Sequence, residues 1–128
     1  APAQMMEAVE IYRRMFRPSE QMEKPYVMLG INVFAADTEE EARRVMTSVQ
    51  QSWVQLRRGN PIPLPPPIEG YEAALEHALA CSVIGSPEMV RQGLEEFAER
   101  TGADELMVVS QIYDHAARLR SYEIASGG

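Results

Sequence analysis

Cysteine is nearly absent. Cys81 is the only one in 128 residues, so no disulfide closes within the chain, and the composition fits a reducing, cytoplasmic compartment. Its plainest role is that of a small buried hydrophobe. Positive charge is scarce too. Twelve Lys and Arg stand against nineteen Asp and Glu, a net charge of −7 that leaves no basic face for nucleic acid and disfavours an anionic membrane surface. Long apolar runs are missing; stretches such as 27–36 fall far short of the roughly 20 residues that cross a bilayer. No basic-flanked apolar segment opens the sequence, so no secretion signal is expected. The first residue, Ala1, stands inside helical periodicity, which reads as a truncated or processed chain. Two histidines, distant in sequence and outside any His-Glu-x-x-His or paired-Cys spacing, argue against a bound metal. Gly-x-Gly-x-x-Gly, the P-loop pattern and Gly-x-Ser-x-Gly are absent as well. Support for dinucleotide binding, P-loop phosphate binding and nucleophile-elbow hydrolysis goes with them.

What remains is an ordinary globular composition, 45% apolar and 24% charged, long enough for one compact domain. Met5, Ala8, Val9, Tyr12, Met15 and Phe16 recur at helical spacing, and Pro18 ends that helix. Residues 26–36 are almost continuously apolar and β-rich, the pattern of a strand buried on both faces. Thr38 and Glu41 form a capping box for a helix that carries Ala42, Val45, Met46, Val49, Trp53 and Leu56 on one face and stops at Gly59. Residues 59–70 hold five of the nine prolines and read as a rigid crossing loop, with a short helix expected over 71–80. A second strand is expected at 82–85. Ser86, Pro87 and Glu88 then mark a helix start, Val90, Leu94, Phe97 and Ala98 its buried stripe, and Gly102 its end. A third strand follows at 105–110, and Asp114 caps a last helix to about residue 125. The eight methionines fall mostly on buried faces as core filler.

Strands alternating with helices imply parallel strands joined by right-handed crossovers. Three strands apolar on both faces are too few for a complete doubly wound sheet, whereas a closed barrel of about 250 residues covers such strands. The expected class is α/β, a partial (β/α)8 barrel carrying its last three parallel strands. Helices should pack on one side, with the interior face bare and with strand edges open. Such a chain should self-associate into a homo-oligomer.

Several strings occur in a telling order: Phe16-Arg-Pro-Ser-Glu20, Pro25-Tyr-Val27, Ala35-Ala-Asp-Thr-Glu-Glu-Glu-Ala42, Gly85-Ser-Pro-Glu88, Thr101-Gly-Ala-Asp-Glu-Leu-Met-Val108 and Ile112-Tyr-Asp-His-Ala-Ala-Arg-Leu-Arg-Ser-Tyr122. Together they resemble the C-terminal third of bacterial luciferase-like flavin-dependent monooxygenases, across residues 1–128. The resemblance implies a barrel that uses reduced FMN and O2 to oxidise a small organic substrate. It also implies that the flavin phosphate is held by loops of earlier strands, so that these residues alone neither bind FMN tightly nor catalyse. The competing reading is a non-catalytic α/β module that serves self-association.

Barrel chemistry sits at the C-terminal ends of strands. Ser110, Gln111, Tyr113 and His115 crowd hydrogen-bonding groups directly after the third strand. Tyr113 and His115 are the catalytic candidates: one lines the flavin or donates to an oxygen, and the other moves a proton near neutral pH. Ser110 and Gln111 are the cofactor-binding candidates. Their alternative role is capping and packing of the last helix. Asp37 and Thr38 read as a helix start. Ser86 stands at a helix N-terminus, but Pro87 deletes a donor there and Glu88 repels an anion, so capping is the better reading. His77, beside Glu76, reads as solvated.

Overall fold

The computed structural model describes residues 2–19, 22–67 and 82–127. The short helix expected over 71–80, Cys81 and His77 lie outside the described residues. In chain order the elements are α1 (Pro2–Met15), β1 (Met28–Ala35), α2 (Glu39–Arg57), β2 (Ser82–Gly85), α3 (Pro87–Thr101), β3 (Glu105–Val109) and α4 (His115–Ala125). Among the described residues all strand pairing is parallel.

The local signals explain most boundaries. Thr38 Oγ1 accepts a hydrogen bond from the Glu41 amide at 3.2 Å and starts α2. Asp114 Oδ2 accepts from the Ala117 amide at 2.9 Å and starts α4. Gly102, at φ +65°, closes α3 in the left-handed conformation, and its carbonyl accepts from Arg13 Nη2 at 2.8 Å, which ties the end of α1 to the α3–β3 turn. Ser86 departs from expectation: it occupies the N-cap position of α3, but its side chain makes no capping bond.

Strand order is β2-β1-β3, so the long strand β1 is central. Simple chain-order succession, as in an idealised barrel, puts β2 in the middle instead. The C-terminal half of β1 pairs with β2, from Asn32 opposite Ser82 to Ala35 opposite Gly85. Its N-terminal half pairs with β3, from Met28 opposite Glu105 to Asn32 opposite Val109. The connection from β1 to β2 and the return from β2 to β3 therefore run in opposite directions across the sheet. Crossovers of one hand that run in opposite directions lie on opposite faces.

The packing follows that rule. Ile31, Val33 and Ala35 point to one face and meet Val90 and Phe97 of α3 and Ile124 of α4. Phe34 points to the other face and meets Val45, Met46 and Val49 of α2 together with Ile112. Helices thus cover both faces at the C-terminal half of the sheet, where one-sided cover was expected. The N-terminal half of the α2 face is bare: Met28 is 51% and Met107 55% exposed, and Val109 is exposed as well. Val27, Ile31 and Val33 are buried, and over Ile31 and Val33 the cover comes from α3 and α4.

Candidate functional site

Neighbouring strands β1 and β3 send their following helices to opposite faces, which opens a crevice at their C-terminal ends. In open parallel sheets that is where ligands bind. The loop between β3 and α4, residues 110–114, forms one side of the crevice.

Hydroxyl groups hold this loop in place. The β1–β3 register ends at Asn32 and Val109, and serine side chains take over from there. Ser110 Oγ donates to the Val33 carbonyl at 2.8 Å and lies 2.9 Å from Ser121 Oγ. Ser121 Oγ accepts from the Ala35 amide at 3.0 Å. Ser110 and Ser121 are both buried, so these bonds satisfy backbone groups that no strand reaches. The Tyr122 hydroxyl accepts from the Ser110 amide at 3.0 Å. Ile112, 1% exposed, drops into the cluster around Phe34 and anchors the tip of the loop.

Ser121→Ala should leave the Ala35 amide unpaired in a buried place. The expected cost is about 1–3 kcal/mol in denaturant unfolding, with no loss of apolar contact. A stability equal to the wild type would show that the hydroxyl pair does not hold the loop.

The four sequence candidates are placed differently. Ser110 is buried and turned to β1, with its hydroxyl fully engaged. Gln111 is exposed and lines a cavity of about 380 Å³ against α2. Tyr113, 52% exposed, lines a neighbouring cleft of about 440 Å³ with Ser48, Arg44, Pro66 and Pro67. His115 is the first residue of α4 and is exposed; its Nδ1 lies 2.6 Å from Arg118 Nη2. A guanidinium only donates, so in this contact Nδ1 is the acceptor. The loop brings Gln111, Tyr113 and His115 to one edge of the sheet and keeps the Ser110 hydroxyl out of it.

Two contributors are not evident from the sequence pattern. Ile112 is a lone apolar residue in a polar loop, and that isolation is its signal. Arg118 follows His115 by three positions and so shares its helix face. Its Nη1 donates to the Ile112 carbonyl at 3.2 Å. On the far side of the crevice, Arg120 donates to Asp37 Oδ1 at 2.7 Å and links α4 to the β1–α2 turn. That hydrogen bond, the largest influence on it, raises the Arg120 guanidinium above its ordinary range. Both groups are well exposed, so the pair orients the turn more than it stabilises the fold. The proline-rich loop is pinned by Gln51 Nε2 donating to the Pro66 carbonyl at 2.9 Å.

None of the three helix N-termini at this edge is free for an anion: α2 is capped by Thr38 and carries Glu39, Glu40 and Glu41 in its first turn. Glu88 of α3 is held by Arg91, which lowers its pKa and keeps it charged, and the Asp114 carboxylate occupies the start of α4. No helix among the described residues is long and apolar enough to cross a membrane.

No protein-family model matches the chain. Curated relatives do. A luciferase-like monooxygenase of Escherichia coli (strain K12) is 43% identical over 133 aligned residues, which is 98% of this chain and 40% of that protein. The uncharacterized protein YvbT of Bacillus subtilis is 42% identical over 97% of this chain and 39% of its own length. Among solved structures, apo-MsnO8 matches with a TM-score of 0.80 and 32% identity, over 95% of this chain and 40% of that one. The chain therefore spans about two-fifths of the length of the relatives it matches.

Proposed function

As the chain belongs to the luciferase-like monooxygenase family, we propose that it forms one wall of the active site in a flavin-dependent (β/α)8 barrel, contributing the last three strands. The half of the sheet that α2 leaves bare, with Met28 and Met107 more than half exposed, supports a role as part of a larger unit, because the rest of a longer chain can cover it. The β2-β1-β3 order and the α2 cover on that face depart from simple barrel succession. The enzyme acts in the cytoplasm on a small organic substrate with O2. Reduced FMN, when bound, supplies the two electrons that let one oxygen atom enter the substrate while the other leaves as water.

The described residues suit one edge of the flavin ring better than its phosphate. Tyr113 lines a cleft in which Val45, Pro66, Pro67 and Ile112 give apolar surface beside the charged Glu41, Arg44 and Asp114. All three nearby helix N-termini carry carboxylates, so the phosphate is held elsewhere. Tyr113 donates a hydrogen bond to a reacting oxygen or to the ring. His115 moves a proton at Nε2, since its Nδ1 is engaged by Arg118. Gln111 adds donors at the same edge, and Ser110 holds the loop that presents them.

The observation that carries this is the exposure of Tyr113 and His115 at the C-terminal edge of parallel strands. In the complete enzyme, Tyr113→Phe is expected to lower turnover about tenfold or more, the effect of losing a transition-state hydrogen bond of about 1–3 kcal/mol. His115→Ala should lower turnover as well, by removing the ring that moves the proton. Wild-type turnover in both variants would reduce the loop to a structural element.

The same bare face also supports a second reading, a non-catalytic module that assembles into homo-oligomers through its open sheet. A flavin absorption band and substrate oxygenation in the complete protein separate the two.

A further inference from the structure

We propose that the cavity between α2 and the β3–α4 loop binds a small molecule with an apolar body and a single carboxylate, and that Arg118 is the residue that selects the carboxylate. The inference names the substrate class of the proposed active-site wall. Its meaning for turnover rests on that reading, whereas binding itself does not.

The cavity measures about 380 Å³, within the range that takes a small organic ligand. Trp53, Leu56 and Leu64 with Ile112 make its apolar wall. Arg118 and Gln111 supply the polar end. Among the described residues, none that lines it is acidic, although the chain as a whole carries a net charge of −7.

Arg118 differs from the other arginines near this edge. Arg43 and Arg44 on α2 and Arg120 on α4 each pair with a carboxylate. Arg118 is half-buried, and among the described residues its partners are the Ile112 carbonyl and His115 Nδ1, neither of them a carboxylate. These two bonds use two of the five guanidinium N–H groups and fix the plane of the fork. Three donors remain. A partly desolvated cation without an anion is costly, and a planar fork matches a carboxylate best. A neutral ligand of the same shape leaves that charge uncompensated, so the site discriminates by charge as well as by shape.

Trp53 is the only tryptophan of the chain and lines the cavity, so its fluorescence reports occupancy. The test titrates the 128-residue chain with 3-phenylpropionate and, separately, with 3-phenylpropan-1-ol. The acid is expected to bind at least tenfold more tightly than the alcohol. Arg118→Gln should bring the two together by weakening the acid alone, and Arg118→Lys should keep part of the preference. Leu56→Glu gives a second arm that does not touch Arg118. Leu56 is 52% exposed, so this variant folds, and its carboxylate at the wall should weaken the acid several-fold and leave the alcohol unchanged. Equal binding of acid and alcohol to the wild type overturns the proposal. Undiminished acid binding in Arg118→Gln, or no response to either compound, does the same. Flavin absorption and oxygenation in the complete enzyme are read independently. Acid binding without oxygenation keeps this site and refutes the monooxygenase role, and oxygenation without acid selectivity does the reverse.

Discussion

Phe34→Ala is expected to cost about 3–5 kcal/mol in denaturant unfolding, a large share of what a domain of this size has to lose. The ring is wholly buried at the centre of the sheet. It is the β1 residue through which α2 and the β3–α4 loop reach the sheet, because Val45, Met46, Val49 and Ile112 all cluster on it. Removing it opens a cavity beneath Ile112, so the loop that presents Tyr113 and His115 loses its seat. Two readings should move together: the urea midpoint should fall, and Trp53, half-buried at the margin of the same cluster, should become more accessible to quenchers in the native state. Phe34→Leu keeps most of the volume and should recover more than half of the loss. A Phe34→Ala cost below about 1 kcal/mol would mean that α2 is held on the sheet by contacts other than these.

Phe34 also shows how far residue pattern alone reaches. Near-continuous apolarity over 26–36 identifies a strand covered on both sides, and both sides of its C-terminal half are indeed covered. The caps at Thr38, Gly102 and Asp114 are local chemistry, and they stand where the sequence puts them. Strand order is not local. β2 has four residues, and nothing in Ser-Val-Ile-Gly states which edge of β1 it will join. The α2 cover on the Phe34 face depends on that choice, so the pattern shows that both faces of β1 are covered but not which helix covers which.

The site is legible by position more than by role. A polar cluster after the last strand marks the right loop, yet residue type cannot separate a hydroxyl that meets a ligand from one that finishes a ladder. Ser110 is of the second kind, because Val33 and Ala35 extend β1 beyond the reach of β3 and their backbone groups need partners. Those partners come from Ser110 and from Ser121, eleven residues apart in sequence. Arg118 carries a charge that looks like any other on a helix that also holds Arg120 and Glu123. The lack of a carboxylate among its partners in the described residues, a tertiary fact, sets it apart.

Gly85→Ala should be about as damaging as any single-atom addition to this chain, at about 2–5 kcal/mol. Two independent effects combine. Gly85 has φ +150°, a backbone conformation almost confined to glycine. A Cβ built there also lies 2.7 Å from the Met89 Cβ, 2.9 Å from its Sδ and 3.0 Å from its Cε. The sulfur and the terminal methyl can swing away, since Met89 is partly exposed. The Met89 Cβ cannot, because it is fixed to the first turn of α3. The added methyl therefore pushes α3 away from β2 at the C-terminal edge of the sheet, and the Ala36 amide, which donates to the Gly85 carbonyl at 3.2 Å, is strained with it. Met89→Ala alone should be nearly neutral. Combined with Gly85→Ala it should recover only the part owed to the sulfur and terminal methyl, leaving the backbone strain and the Cβ contact. Gly30→Ala is the control, because its nearest atom, the Met107 carbonyl oxygen, is 4.0 Å away and its backbone is not in the positive-φ region. It should change stability by less than about 1 kcal/mol. Thermal or urea unfolding of the four variants decides the matter: Gly85→Ala matching Gly30→Ala, or full rescue by Met89→Ala, would show that neither the backbone conformation nor the close approach of α3 is needed here.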